Sequence, residues 1–183
     1  QMTKFKLNHE QLDYALDLAM KRHDAKDVSF RNKDVAKFMN DGKEEMSSEF
    51  KVDKQYMAHF LGVIGELGYA LATDQKVDEE IYSVRDSGQD FDGVEVKTIT
   101  YMGRGEPELK ITVKEYEQRT PPKLYVLTRW DIKNKVVEVL GQITREKFDE
   151  VKQEKQYGPY LPKNYIVPAS KMEKLNENKS HAK

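Results

Sequence analysis

The sequence predicts an α/β fold, a central mixed β-sheet flanked by helices with an N-terminal helical region, and three stretches carry that expectation. Residues 53–72 place Tyr56, Phe60, Ile64, Leu67 and Leu71 at helical spacing. Gly88–Thr98 sets two short strand-like runs around Asp92-Gly93, a pair that favours a type I′ hairpin turn because both central residues then need positive φ. Leu124–Trp130 is a nearly continuous apolar run of strand length, suited to burial on both faces.

In chain order, residues 1–7 read as a short lead-in. Asn8 can cap a helix bearing Leu12, Ala15, Leu16, Ala19 and Met20, and Gln11 supplies the second half of a capping box. Residues 21–51 are charged, with a short helix expected over Lys33–Met39 and a break at Asn40-Asp41-Gly42. The basic residues Lys21, Arg22, His23, Arg31 and Lys33 suit phosphate contact, but a solvated helical face accounts for them more simply. Asp53 then caps the next helix, which contains Gly62, Gly65 and Gly68. A helix-interior glycine costs about 1 kcal/mol relative to alanine, so three of them imply close approach to another backbone. Glu66 sits among these glycines, with His59 and Tyr69 near its face. It is either an exposed acid on an amphipathic helix or a carboxylate turned toward the sheet.

Further strands are expected over Ile81–Val84, from the hairpin through Ile99, and over Leu109–Val113 and Val136–Ile143. Tyr101–Pro107 reads as a mobile loop, and its glycines lack the spacing of a phosphate-binding fingerprint. Lys114–Arg119 is a short helix by pattern, and Thr144 caps another containing Phe148 and Val151. Beyond Gln153 come a proline-rich loop at Tyr157–Pro162, an edge strand at Tyr165–Val167 and a short helix from Ser170. The organisation expected is a helical region over 1–52 packed on a core over 53–175, with a flexible tail over 176–183.

At 183 residues, with 38% hydrophobic and 34% charged residues, the chain is sized for one polar globular domain. No run reaches membrane-span length and no signal-peptide core is visible, so a cytoplasmic, intracellular location without membrane contact is expected. The absence of cysteine excludes a disulfide framework, a thiolate zinc site and a cysteine nucleophile. Any metal must therefore be held by oxygen or imidazole, and His9, His23, His59 and His181 show no metal-ligand spacing. A net charge of −1 means that nucleic-acid binding would have to come from local patches.

The hairpin carries the chemistry. With Asp92-Gly93 as the turn, Phe91 faces Val94 and Asp90 faces Glu95, and Lys97 joins Glu95 on one face by the two-residue period. Two carboxylates facing each other repel, and a cation between them, a lysine or a divalent metal, would relieve this. Acid-x-Lys triplets recur elsewhere, as at Asp24/Lys26, Asp74/Lys76, Glu108/Lys110, Asp131/Lys133 and Glu150/Lys152. Glu95/Lys97 differs in having Asp90 across the turn and Glu66 on the preceding helix. Ile99 continues the Glu95/Lys97 face and implies that this face is partly covered; the plainer reading is a surface ion pair of Lys97 with Asp90.

The order Gly62-Val63-Ile64-Gly65-Glu66, then Asp90, then Glu95-Val96-Lys97 resembles the PD-(D/E)XK nuclease superfamily over roughly residues 53–143. Gln89 stands where the name-giving proline would be. Asp92 competes with Asp90 for the aspartate position, and Asp90 is preferred because the turn aims Asp92 away at the hairpin tip. The resemblance implies a restriction-endonuclease-like core and a magnesium-dependent nuclease, manganese substituting, that hydrolyses DNA phosphodiesters as an endonuclease. By it, Asp90, Glu95 and Glu66 hold the metal, and Lys97 positions or activates the attacking water. Hard carboxylate oxygens around Mg²⁺ suit that chemistry on general grounds. Tyr101, Arg104 and Lys110, near the expected site, are candidates for nucleic-acid contact, while Tyr125 and Trp130 read as core. An RNA-directed nuclease and a non-catalytic nucleic-acid-binding or regulatory protein stay open, as does a homodimer surface within residues 1–50.

Overall fold

A computed structural model of the chain describes residues 2–25, 43–51, 53–77, 91–101 and 103–175. Its elements are β1 (Lys4–Lys6), α1 (His9–Ala25), α2 (Lys43–Phe50), α3 (Met57–Thr73), β2 (Val94–Thr100) and β3 (Glu108–Thr112), then α4 (Val113–Gln118), β4 (Leu124–Asp131), β5 (Val136–Thr144), α5 (Arg145–Val151), β6 (Gln153–Gln156) and β7 (Lys163–Pro168). The fold is α/β. A four-stranded mixed sheet in the order β1-β5-β4-β2 has β2 parallel to β4 and its other pairs antiparallel, and a three-stranded antiparallel sheet runs β3-β7-β6. No described helix is long and apolar enough to cross a membrane.

The helix starts follow their caps. The Asn8 amide donates to Gln11 Oε1 at 2.9 Å and the Gln11 amide donates to Asn8 Oδ1 at 2.8 Å, the reciprocal capping box that opens α1. Thr112 and Thr144 accept from the third residue beyond them, at 3.1 Å from Glu115 and 3.2 Å from Lys147, and so start α4 and α5. Asp53 caps a single 3₁₀ turn, Lys54–Tyr56, that leads into α3.

Alternation along β4 separates the two sides of the main sheet. Trp130 packs with α1 and α3 through Leu12, Ala15, Phe60 and Ile64, and Val126 packs with Tyr69 and Ala72 of α3. Tyr125 and Leu127 point the other way, into a core with Leu109, Ile111, Phe148 and Val167 of the second sheet and α5. The chain therefore stacks as a helical layer, the main sheet, and the second sheet with its short helices. The pairing of β4 with β5 slips between Leu127 and Thr128, whose partners are Gly141 and Val139, leaving Leu140 as a bulge.

The glycines of α3 have unequal tasks. A β-carbon at Gly65 would fall on the Thr98 hydroxyl oxygen and lie 2.6 Å from that of Thr128, and one at Gly68 would lie 2.7 Å from Val137 Cγ2, whereas Gly62 has nothing within 4 Å. The close approach is thus to strand side chains at two of the three positions, rather than to backbone at all three. Gly65→Ala should lower stability, since overpacking at about 1–3 kcal/mol outweighs the roughly 1 kcal/mol gained in helix propensity. Gly62→Ala should instead raise the melting temperature; a thermal scan of the two variants reads the difference.

Several expectations change. The lead-in contains β1, paired with β5 through Lys4↔Glu138 and Lys6↔Val136. Gln153–Gln156 is a strand, and β7, expected at an edge, lies between β3 and β6. The helix expected from Ser170 is one 3₁₀ turn, Ala169–Lys171. Leu71, placed in the buried stripe of α3, is 38% exposed. Of Asp92-Gly93 only Gly93 has positive φ, at 71°, so the turn has the type II pattern. The helix expected over Lys33–Met39, the strand over Ile81–Val84 and the tail over 176–183 lie outside the described residues.

Candidate functional site

The turn joins Phe91 to Val94 by two hydrogen bonds, of 3.1 and 2.9 Å, and sets the facing of β2. Phe91, Val94 and Val96 pack toward Tyr69 of α3. Glu95, Lys97 and Ile99 consequently face the second sheet, where Ile99 joins the core formed with Leu109 and Val167. Asp92 is exposed at the tip, and Asp90 lies outside the described residues.

Glu95 and Lys97 meet at a cluster completed by α4. Lys97 Nζ stands 3.0 Å from Glu95 Oε1 and 2.7 Å from Glu115 Oε1. Arg119 Nη1 lies 3.3 Å from Glu115 and 3.6 Å from Glu95. The Glu95 side chain is 7% exposed and that of Lys97 28%, so the centre is recessed yet open to small reactants. Tyr125 neighbours Glu95 in the parallel register and is held by Arg145, whose Nη1 donates to its hydroxyl at 2.8 Å.

Burial is the main influence on Glu95 and drives its pKa up to about 8, against the pull of Lys97; a hydrogen bond with Glu115 pushes the same way as burial. Glu115 is also desolvated, but the Lys97 charge, the bond from Glu95 and Arg119 carry its pKa below the ordinary value. The two acids therefore divide into a proton holder and an anion. Burial pulls Lys97 down, yet the carboxylates of Glu115 and Glu95 outweigh it, so the ammonium is held above the usual lysine value. Burial raises the Tyr125 phenol to about 12 despite Arg145. The cluster can place an ammonium beside an anionic substrate and can hold or release a proton at Glu95.

Glu66 is placed elsewhere. Gly65 sits against Thr98 and Thr128, so α3 covers the face of β2 opposite to Glu95 and Lys97. Glu66 is 3% exposed and accepts from Arg22 Nη1 of α1 at 2.7 Å. Neither an exposed acid nor an acid turned to the Glu95 face describes it. Arg22 and His23 likewise depart from the solvated face expected of them: the Arg22 side chain is 17% exposed, and His23 is buried against the rings of Tyr56 and His59.

A cleft of about 640 Å³ opens beside the cluster, with Lys97 and Glu115 in its wall. Tyr101, Arg104 and Lys110 all line it. So do Arg129, whose guanidinium lies 5.1 Å from the Tyr101 ring centre, and Tyr157, with Lys110 Nζ 4.5 Å from its ring. Glu115, Arg119, Arg129 and Tyr157 are the residues that sequence reasoning did not select. The one local signal for Glu115 was its place three residues after Thr112, the acidic position of a capping pattern.

Among the described residues, no group of three or more histidine, cysteine or acidic side chains is placed to hold a metal. Two carboxylates do converge there, Glu95 and Glu115, with hard oxygen donors of the kind Mg²⁺ takes. Comparison with models of known protein families, with characterised proteins and with solved structures finds no match.

Proposed function

We propose that this chain is a magnesium-dependent nuclease of the PD-(D/E)XK type, with a restriction-endonuclease-like core, that cuts DNA phosphodiester bonds as an endonuclease. The observation that carries the reading is Lys97, held between Glu95 and Glu115 in the wall of an open cleft. The topology adds support, because the strand bearing Glu95 and Lys97 is joined through β3 of the second sheet and α4 to a strand parallel to it.

Asp90 and Glu95 would hold the ion, with Glu115 as the neighbouring anion. A divalent ion supplies charge neutralisation and a lowered water pKa in such sites. Lys97 would orient the water or stabilise charge developing on the phosphoryl oxygens. Glu95 must give up its proton to serve as a ligand. Arg119, 41% exposed in its side chain, is placed to keep Glu115 anionic while Lys97 turns to the substrate.

A non-catalytic nucleic-acid-binding protein is the second reading. It draws on the same ion pairs, since a Lys97 already satisfied by two acids can serve structure alone. Incubating wild type, Glu95→Ala and Lys97→Ala with DNA and RNA substrates in Mg²⁺, Mn²⁺ and EDTA separates the readings. Divalent-dependent cleavage that falls at least about a hundredfold in both variants is expected. Equal activity in all three proteins would sink the nuclease reading, and preferential RNA cleavage would change its substrate.

A further inference from the structure

We propose that the cleft between the two sheets receives a single strand of nucleic acid, not a duplex, with a base stacked on Tyr101. The proposal rests on the nucleic-acid reading of the site and adds the form of the substrate.

Charge is the first ground. The cations lining the cleft are Lys97, Arg104, Lys110 and Arg129, and the acids lining it are Glu106, Glu108 and Glu115. Duplex affinity comes mainly from neutralising phosphates, so a nearly balanced lining on a chain of net charge −1 makes a poor duplex surface. The acids are turned to protein donors: Glu106 Oε1 accepts from the Ser170 amide at 3.0 Å and Glu108 Oε2 from the Tyr157 hydroxyl at 2.7 Å. Lys97 is likewise held by Glu95 and Glu115, and Arg129 by Glu138 at 3.4 Å, so the cleft offers a ligand little net positive charge beside its aromatic surface.

Shape is the second. Lys97 and Glu115 are recessed in the cleft wall, with side chains 28% and 17% exposed. A flexible strand can lower one phosphodiester to them, whereas a stacked duplex presents its backbone on a broad rigid cylinder. Tyr101 is 54% exposed and has the Arg129 guanidinium beside its ring. An exposed ring backed by a cation is a stacking platform of the kind single-strand binders use. Tyr160, 91% exposed, stands in the loop whose Tyr157, Leu161 and Pro162 line the same cleft.

The test is fluorescence anisotropy of the full chain with a labelled DNA strand, the same sequence as blunt duplex, and the matching RNA strand, in EDTA so that nothing is cut. Single-stranded DNA should bind at least tenfold tighter than duplex. Tyr101→Ala should weaken strand binding roughly tenfold while Tyr101→Phe retains it. The salt dependence should be shallow, with a log–log slope no steeper than about −3 even if all four lining cations meet phosphates. Duplex binding as tight as strand binding, no binding at all, or an unaffected Tyr101→Ala overturns the proposal. Tighter RNA binding supports the single-strand form and overturns the choice of DNA. Strand binding that depends on Tyr101 without divalent-dependent cleavage removes the nuclease reading alone. Cleavage that needs Lys97 but prefers duplex removes this proposal alone.

Discussion

Replacing Arg22 with methionine is expected to cost about 3–5 kcal/mol of folding stability, because it takes a close cationic partner from a buried carboxylate. Glu66 is 3% exposed within α3, and Arg22 Nη1 lies 2.7 Å from it. Methionine keeps most of the side-chain length and removes the charge, so the loss reports the missing guanidinium more than a cavity. Arg22→Met combined with Glu66→Leu should recover most of the stability, since a buried ion pair replaced by packed apolar groups is often neutral or better. Urea denaturation of the two variants and wild type gives the comparison, and an unchanged midpoint for Arg22→Met would refute the pairing as a structural element. Cleavage by the folded double variant reads a separate matter. Retained activity assigns Glu66 to the fold, and lost activity returns it to the chemistry that its neighbourhood of glycines suggested.

The second large effect is on pH. Glu95 has a pKa raised to about 8 from 4.5, so the folded chain binds a proton that the unfolded chain releases. Its stabilising contribution is complete below about pH 4.5 and is lost as pH rises toward 8, with an upper bound of about 5 kcal/mol for the full shift. Glu115, lowered from 4.5, works in the opposite sense: its contribution is present above its unfolded value and is lost as pH falls below it. Metal-free protein should therefore lose stability between about pH 5 and 8. Glu95→Gln should flatten that slope and melt higher than wild type at pH 8, as glutamine keeps the hydrogen bonds without the buried charge. A wild-type melting temperature that rises steadily from pH 5 to 8 in EDTA would contradict this account. Mg²⁺ bound to Glu95 would oppose the loss at pH 8, so the difference between EDTA and Mg²⁺ also reports ligation.

Where the sequence was legible, a local rule and the tertiary structure agreed. Asn8 and Gln11 formed their capping box, Thr144 began its helix, and Leu124–Trp130 proved to be an interior strand. The two faces of β2 followed from alternation, with Phe91, Val94 and Val96 toward α3 and Glu95 with Lys97 on the other side. Illegible stretches owe their structure to distant partners. Gln153–Gln156 is exposed at every residue and has no apolar pattern; only its pairing with Lys163–Ile166 makes it a strand. Lys4–Lys6 is too short to show a period. Arg22 looked solvated because charge in sequence does not reveal which helix will pack over it. Glu115 and Arg119 enter the site because α4 crosses back toward β2, a placement that no spacing within Glu95–Lys97 encodes.

The pairing of β1 with β5 also orders events in time. Lys4 and Phe5 must wait for Glu138 and Val137 before they can join the sheet, so a growing chain holds β1 without this partner until β5 has been made. The entropy of closing so long a loop grows only slowly with length. Until β1 docks, β5 presents open backbone N–H and C=O groups to any neighbouring chain. Closure removes that edge, and Leu7, whose amide donates to Lys135 O at 2.9 Å, extends the join beyond β1.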